Sequence, residues 1–237
     1  MTTTPVSPSW GSDAELAHRL ATVREHISAA AAAAGRAPED ITLVAVTKFH
    51  DPAIVEALYG LGVRDFGENR HPESRGKAEV AHAHDDARLH FIGQLQRNKA
   101  RQVARYADVI ESIDREELVE ALAKLEGEAV DVTIQLSIDG DTSRGGVPLG
   151  DAEALAERIL ATPTLRLRGV MTVAPLGMDP EAAFARARET SERIRTLAPG
   201  ADWLSMGMSH DFRSAISQGA THLRIGEAIT GKRPGPQ

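Results

Sequence analysis

At 237 residues the chain can bury a substantial core, either as one α/β barrel or as two small domains. Its net charge of −7 argues against a general nucleic-acid binder, and the absence of cysteine excludes disulfides, thiolate metal sites and cysteine nucleophiles. No apolar run approaches a membrane span, and the polar, proline-containing opening MTTTPVSPSW reads as a loose arm over residues 1–11, not a signal peptide, so a cytoplasmic protein is expected.

Ser12 and Asp13 offer caps for a long helix through about Ala34, with Leu16, Leu20, Val23 and Ile27 at helical spacing and Gly35 closing it. The stretch LVAVTKFH, Leu43 to His50, is apolar and β-branched up to Lys48 and is halted by Asp51-Pro52. It reads as a buried strand of the parallel-sheet kind. A helix over 51–61 follows, then a strand over 63–66 ending in Gly67-Glu68-Asn69, and a helix within 71–85. A third strand over 89–92 leads to Gly93-Gln94 and a helix bearing Asn98, Lys99 and Arg101. Strands over 108–111, 131–138, 165–173, 203–206 and 222–225 alternate with helices over 115–126, 151–160, 180–197 and 211–218, and a short helix begins near Glu227.

Eight strands alternating with helices describe an α/β chain folded as a single (β/α)8 TIM-type barrel with an extra N-terminal helix. The barrel runs from 12 to 233 with a loose tail over 234–237, and a doubly wound open sheet is the competing architecture. In a barrel all strand C-termini share one mouth, which would collect Lys48, Asn69, Gln94, Glu111, Ile138, Thr172, Ser205 to Ser209 and Arg224.

A lysine leaving an apolar strand is partly desolvated, which lowers its pKa and suits it to Schiff-base formation. A lysine paired with a carboxylate at the sheet rim is the competing reading. SMGMSHD and Arg224-Ile225-Gly226-Glu227 each place small residues between a strand end and a helix start, where backbone amides can approach an anion. The competing reading there is tight turns and a salt bridge from Arg224. A phosphate cradle on the last two loops beside a lysine on the first strand suits a ligand with a phosphate at one end and an aldehyde at the other. Pyridoxal 5′-phosphate (PLP) fits.

LVAVTKFH, FGENR, HFIGQLQRNKAR, LRGVMTVAPL and LSMGMSHDFRSAISQGATHLRIGEAITGKR together resemble the pyridoxal phosphate homeostasis protein family, relatives of the alanine racemase N-terminal barrel. The resemblance runs in order from Ser12 to Arg233. It implies that Lys48 forms the Schiff base and that Asn69 lies near the ring. Met208 and Ser209, with the backbone of Gly226 and Glu227, hold the phosphate, and Arg224 faces the pyridine nitrogen. Glu227 stands where the family often has threonine, Arg70 where an aromatic residue is common, and Arg144 where a lysine is common. An arginine at the pyridine nitrogen disfavours its protonation and weakens the ring as an electron sink.

Racemisation needs a proton acceptor on each face of the substrate carbon. In the racemases the second is a tyrosine from a separate domain of the partner subunit. Here the only tyrosines are Tyr59 and Tyr106, both in or near helical segments. The expectation is therefore a monomeric protein that stores, buffers or delivers PLP, with PLP-dependent apo-enzymes as partners and no metal, nucleic acid or membrane. A weakly active PLP-dependent racemase is the alternative, and a class I aldolase is disfavoured because no general acid stands beside Lys48. His82 and His84 fall on different helix faces and do not pair as metal ligands. His90 serves packing or a hydrogen bond, His50 and His210 lie near the site in sequence, QLQRNKAR is a helix start or a solvated face, and Asp85-Asp86 is a solvated turn.

Overall fold

The computed structural model describes residues 8–232. Helix α1 (Asp13–Ala33) opens with a reciprocal cap: the Ser12 hydroxyl accepts from the Glu15 amide while the Glu15 carboxylate accepts from the Ser12 amide at 2.8 Å. Such a cap satisfies two of the orphan amides of a helix start and contributes about 1 kcal/mol. One face of α1, Leu16, Leu20, Val23, Ile27 and Ala31, is buried.

There follow β1 (Thr42–Val46), α2 (Ala53–Gly60), β2 (Asp65–Glu68), α3 (Glu73–Ala81), β3 (Arg88–Phe91), α4 (Arg97–Val103), β4 (Val109–Ile113), α5 (Glu116–Leu122) and β5 (Val130–Ser137). A two-residue β6 (Val147–Pro148) precedes α6 (Ala152–Leu160), β7 (Leu165–Thr172), α7 (Pro180–Leu197), β8 (Trp203–Ser205), α8 (Phe212–Ser217), β9 (His222–Ile225) and α9 (Glu227–Thr230). All pairings are parallel, in the order β4-β3-β2-β1-β9-β8-β7-β5, and β5 pairs back onto β4. That last ladder closes the barrel and removes the open-sheet alternative. β6 only extends the end of β5.

The first strand is shorter than LVAVTKFH suggested. β1 stops at Val46, the Thr47 amide still donates to Gly67 O at 3.1 Å, and the His50 amide then folds back onto Thr47 O at 3.2 Å. Lys48 therefore lies in a turn two residues beyond the strand. Of the expected N-terminal arm, residues 1–7 lie outside the described residues, whereas Trp10 is buried and its carbonyl accepts from Arg19 at 2.6 Å. Arg233 and the expected tail over 234–237 also lie outside them.

Outward-facing strand residues such as Phe66, Leu89, Ile110, Ile134 and Leu223 are fully buried beneath the helices. Where β5 meets β7 the register slips between Val132 and Thr133, and Gly169 takes up the slack at φ 151°. A Cβ at Gly169 would sit 1.9 Å from the Trp203 carbonyl oxygen, so the β7–β8 ladder admits only glycine there. Gly169→Ala is expected to destabilise the fold by about 3 kcal/mol or more, read as a lower urea midpoint at unchanged m-value.

Candidate functional site

Four adjacent strand ends build the candidate site: β2, β1, β9 and β8, in that spatial order. The turn after β1 carries Lys48, whose side chain is exposed, and Phe49 at φ 72°, a left-handed conformation uncommon outside glycine. The expected desolvation of Lys48 is thus not found, because leaving the strand early puts the amine in solvent. Its Nζ stands 5.8 Å from the Phe49 ring centroid, and the Arg70 guanidinium stands 5.0 Å from the same ring. Asn69, at the end of β2, holds its Oδ1 buried without a hydrogen-bond partner among the described residues.

The β8 turn needs glycine at Gly207: φ is 93° and a Cβ would meet Ala215 Cβ at 2.6 Å. The next amide, Met208, donates to Asp211 Oδ1 at 2.6 Å. Its N–H is therefore taken by a carboxylate that the sequence reading had placed only in the first turn of α8. Ser209 follows with neither its amide nor its hydroxyl engaged among the described residues. At the β9 turn the amides of Gly226, Glu227 and Ala228 are likewise undonated there, and the Glu227 side chain is exposed. The two turns are stitched together by the Arg224 amide donating to Gly207 O at 3.0 Å, and a Cβ at Gly226 would meet Val46, at the end of β1, at 3.5 Å. Free donors, an orphaned buried acceptor and an exposed amine thus share one rim. These residues fit a small anion carrying an aldehyde.

Arg224 lies below that rim, 4% exposed, with Nη1 donating to Ser205 Oγ and Nη2 to Thr172 O, both at 2.7 Å. Its Nε makes no hydrogen bond among the described residues. The Ser205 hydroxyl donates to Glu111 Oε2 at 2.6 Å, and Glu111 Oε1 lies 2.7 Å from His90 Nδ1. His90 Nε2 reaches Asp65 Oδ1 at 2.9 Å. Glu111 and Ser205 were expected at the mouth; both are fully buried inside the barrel instead, one layer beneath it. Burial alone would hold His90 neutral, but two carboxylates on its two nitrogens raise its pKa to about 9. Burial would likewise raise Glu111, yet the bond and charge of His90, helped by Arg224, bring it to about 2. His222, buried beside them with Trp203 at 4.2 Å between ring centroids, is pushed down to about 4 by burial and by the charge of His90.

Other sequence candidates separate from this cluster. His82 bonds to Asp108, while His84 bonds to Glu56 and stacks on Tyr59. No group of three or more His, Cys, Asp or Glu suited to a metal ion occurs among the described residues. His50 is buried against Ser9, His210 is exposed, and Arg144 pairs with Asp139 at 2.8 Å. QLQRNKAR forms the loop into α4 and its first turn, and Asp86 pairs with Arg64 in an exposed turn. Two features escaped sequence reasoning: the His90–Glu111–Asp65 cluster and a buried Glu68–Lys77 pair beneath the Lys48 turn. The usable signal was the strand period of two, which turns charged residues at 65, 88, 90, 111 and 224 toward one interior.

Residues 15–234 match the alanine racemase N-terminal domain family. Proteins named pyridoxal phosphate homeostasis protein are 37% identical over 243 residues in Mycobacterium tuberculosis, covering 93% of this chain and 94% of that one. The Escherichia coli counterpart is 37% identical over 233 residues, covering 92% and 97%. The solved structure of PipY from Synechococcus elongatus with PLP bound superposes at a TM-score of 0.78 and 32% identity, covering 91% of this chain and 100% of that one. Alanine racemase from Corynebacterium glutamicum shares the fold alone, at a TM-score of 0.71 and 16% identity.

The buried cluster sets a pH profile. His90 has a raised pKa, so its stabilisation is whole below its ordinary value of 6.5 and is lost as pH rises toward about 9. Glu111 has a lowered pKa, so its contribution is present above 4.5 and is lost as pH falls toward about 2, and neutral His222 adds a loss between 6.5 and about 4. Urea midpoints measured across pH are expected to peak near 6.5, and Glu111→Gln to flatten the alkaline limb. A wild-type midpoint that is level from pH 6.5 to 9 contradicts the charge assignment.

Proposed function

We propose that this chain, which belongs to the pyridoxal phosphate homeostasis protein family, holds PLP as a Schiff base on Lys48 and stores, buffers or hands on the cofactor. The observation that carries the reading is the exposed Lys48 amine in the turn after β1, on the same rim as unengaged backbone donors in the turns after β9 and β8. The amine adds to the aldehyde carbon and one water leaves, so the bond forms without any oxidant. The phosphate takes Ser209 and the amides of Gly226 and Glu227, while Met208 contributes its side chain and the turn. The carboxylate of Glu227 stays in solvent and repels the phosphate little. Asn69, with a buried oxygen seeking a donor, lies beside the ring.

Arg224 offers its remaining Nε–H toward the pyridine nitrogen. A cation there keeps that nitrogen unprotonated, so the cofactor draws electrons weakly from a substrate carbon. Among the described residues neither tyrosine stands free as a second proton acceptor. Tyr59 donates to Asp86, and the Tyr106 hydroxyl is hydrogen-bonded to Ser74 and lies 3.1 Å from His71 Nδ1. An exposed, reversible bond to a poor electron sink favours holding over transforming. No helix among the described residues is long and apolar enough to cross a membrane. A monomer in the cytoplasm that delivers PLP to apo-enzymes completes the reading.

Purified protein mixed with PLP is expected to gain a visible absorption band that Lys48→Ala abolishes. Borohydride should fix the label on the peptide containing Lys48. Exchange of amino-acid α-protons is expected to stay near the uncatalysed rate. A protein that remains colourless, or fast exchange that vanishes in Lys48→Ala, overturns the reading in its first or second half respectively.

A further inference from the structure

Beneath the Lys48 turn, on the helix-facing side of β1 and β2, lies an ion pair with no contact to the mouth. Lys77 of α3 and Glu68 of β2 are 3% and 1% exposed, with Nζ and Oε1 2.7 Å apart. The same Oε1 accepts from Thr47 Oγ1 at 2.6 Å, and the same Nζ donates to the Thr47 carbonyl at 2.7 Å. That carbonyl belongs to the peptide joining Thr47 to Lys48, and it also accepts from the His50 amide at 3.2 Å. One ammonium and one carboxylate therefore grip Thr47 by both backbone and side chain, one residue before the reactive lysine.

Removing two charges from water is expensive, and apolar replacements of such pairs are often as stable or more so. Retention of this one is better explained by the geometry that it enforces. The geometry is unusual: Phe49 adopts φ 72°, a region that side chains disfavour, immediately after Lys48, whose side chain is exposed. Strained turns persist only where the surroundings over-determine them, and the Glu68–Lys77–Thr47 grip supplies that constraint.

We propose that Glu68 and Lys77 are positioning residues for Lys48, and that their pair fixes the direction in which its amine leaves the strand. The inference rests on Lys48 being the aldehyde-capturing amine. Loss of the pair should let the turn relax, so that amine and aldehyde meet in the wrong geometry, while the phosphate turns on β8 and β9 are untouched.

The test compares PLP, which can form the imine, with pyridoxamine 5′-phosphate, which has no aldehyde and binds through phosphate and ring only. In E68L/K77M, which leaves no buried charge unpaired, the rate and apparent affinity of PLP capture are expected to fall roughly tenfold or more. Affinity for pyridoxamine 5′-phosphate is expected to change less than about twofold. Should that variant fail to fold, E68Q, which preserves volume and the Lys77 bond to Thr47 O, is read by the same two titrations, with a smaller loss in the same direction. Unchanged PLP capture, or equal losses for both ligands, overturns the positioning role. Absence of a borohydride-fixed label on Lys48 in the wild type defeats the parent reading instead.

Discussion

The pairing of β1 with β9 joins residues nearly at opposite ends of the chain, with Val44 opposite Arg224 and Ala45 opposite Ile225. Every part of the candidate site depends on that register. It sets Lys48 beside the Gly226 turn, turns Arg224 inward, and lets Ile225 face the helices. Because side chains alternate along a strand, a slip of one residue would send Arg224 into the helix layer and Ile225 into the polar interior. The slip would bury an unpaired guanidinium, whose cost is far larger than that of a misplaced methyl group. The pairing is therefore enforced from inside by Ser205 and the Thr172 carbonyl, and from outside by the Arg19 guanidinium, which ties α1 to the Ile229 carbonyl of α9 at 2.7 Å.

The interior of this barrel is unlike a packed aliphatic core. Asp65, His90, Glu111, Ser205 and Arg224 form an unbroken chain of hydrogen bonds, capped below by Trp203 with the guanidinium groups of Arg88 and Arg168 at 5.2 and 4.8 Å from its ring centroid. Each of these groups would be unfavourable alone in a low-dielectric site. Together they alternate in sign, so each charged group is bonded to an opposite one or to a hydroxyl between them. A rigid Arg224 results, since two of its nitrogens are committed to Ser205 and the Thr172 carbonyl and only Nε is without a hydrogen bond among the described residues. Rigidity there defines the electrostatics of whatever ring lies above it.

Most of the element order was legible because most strands hold a short apolar run ended by a turn residue, and the two longest helices, α1 and α7, start at a capping residue and bury one face. His222 to Ile225 and Pro180 to Leu197 have the expected ends to the residue. The site was harder to read in one specific respect: which side-chain atoms are already spent. Nothing local reveals that Asp211 takes the Met208 amide three residues away in the turn, or that Glu111 on β4 bonds Ser205 on β8. The second of these bonds follows from closure and register, which bring residues 94 apart within 2.6 Å. Lys48 misled for a different reason. An unbroken β-branched run suggests a strand up to the lysine, but the backbone turns once Thr47 is gripped by Glu68 and Lys77, and the amine ends in water.

Exposure of Lys48 and burial of Arg224 point the same way. A catalyst of carbanion chemistry profits from a closed, water-free site, because fields are strongest and proton leakage least where solvent is excluded. Here the Lys48 amine stands exposed at the rim, 5.8 Å from the Phe49 ring centroid with the Arg70 guanidinium 5.0 Å from the same ring, while the Arg224 guanidinium is buried below. On the proposed Schiff-base reading, water at the rim would let the imine hydrolyse as well as form. For an enzyme that reversibility would be a leak, whereas for a carrier it is the release step. The fold leaves unengaged amides on backbone turns and keeps Lys48 accessible, an arrangement that the proposed carrier role would use to hold a cofactor and then surrender it.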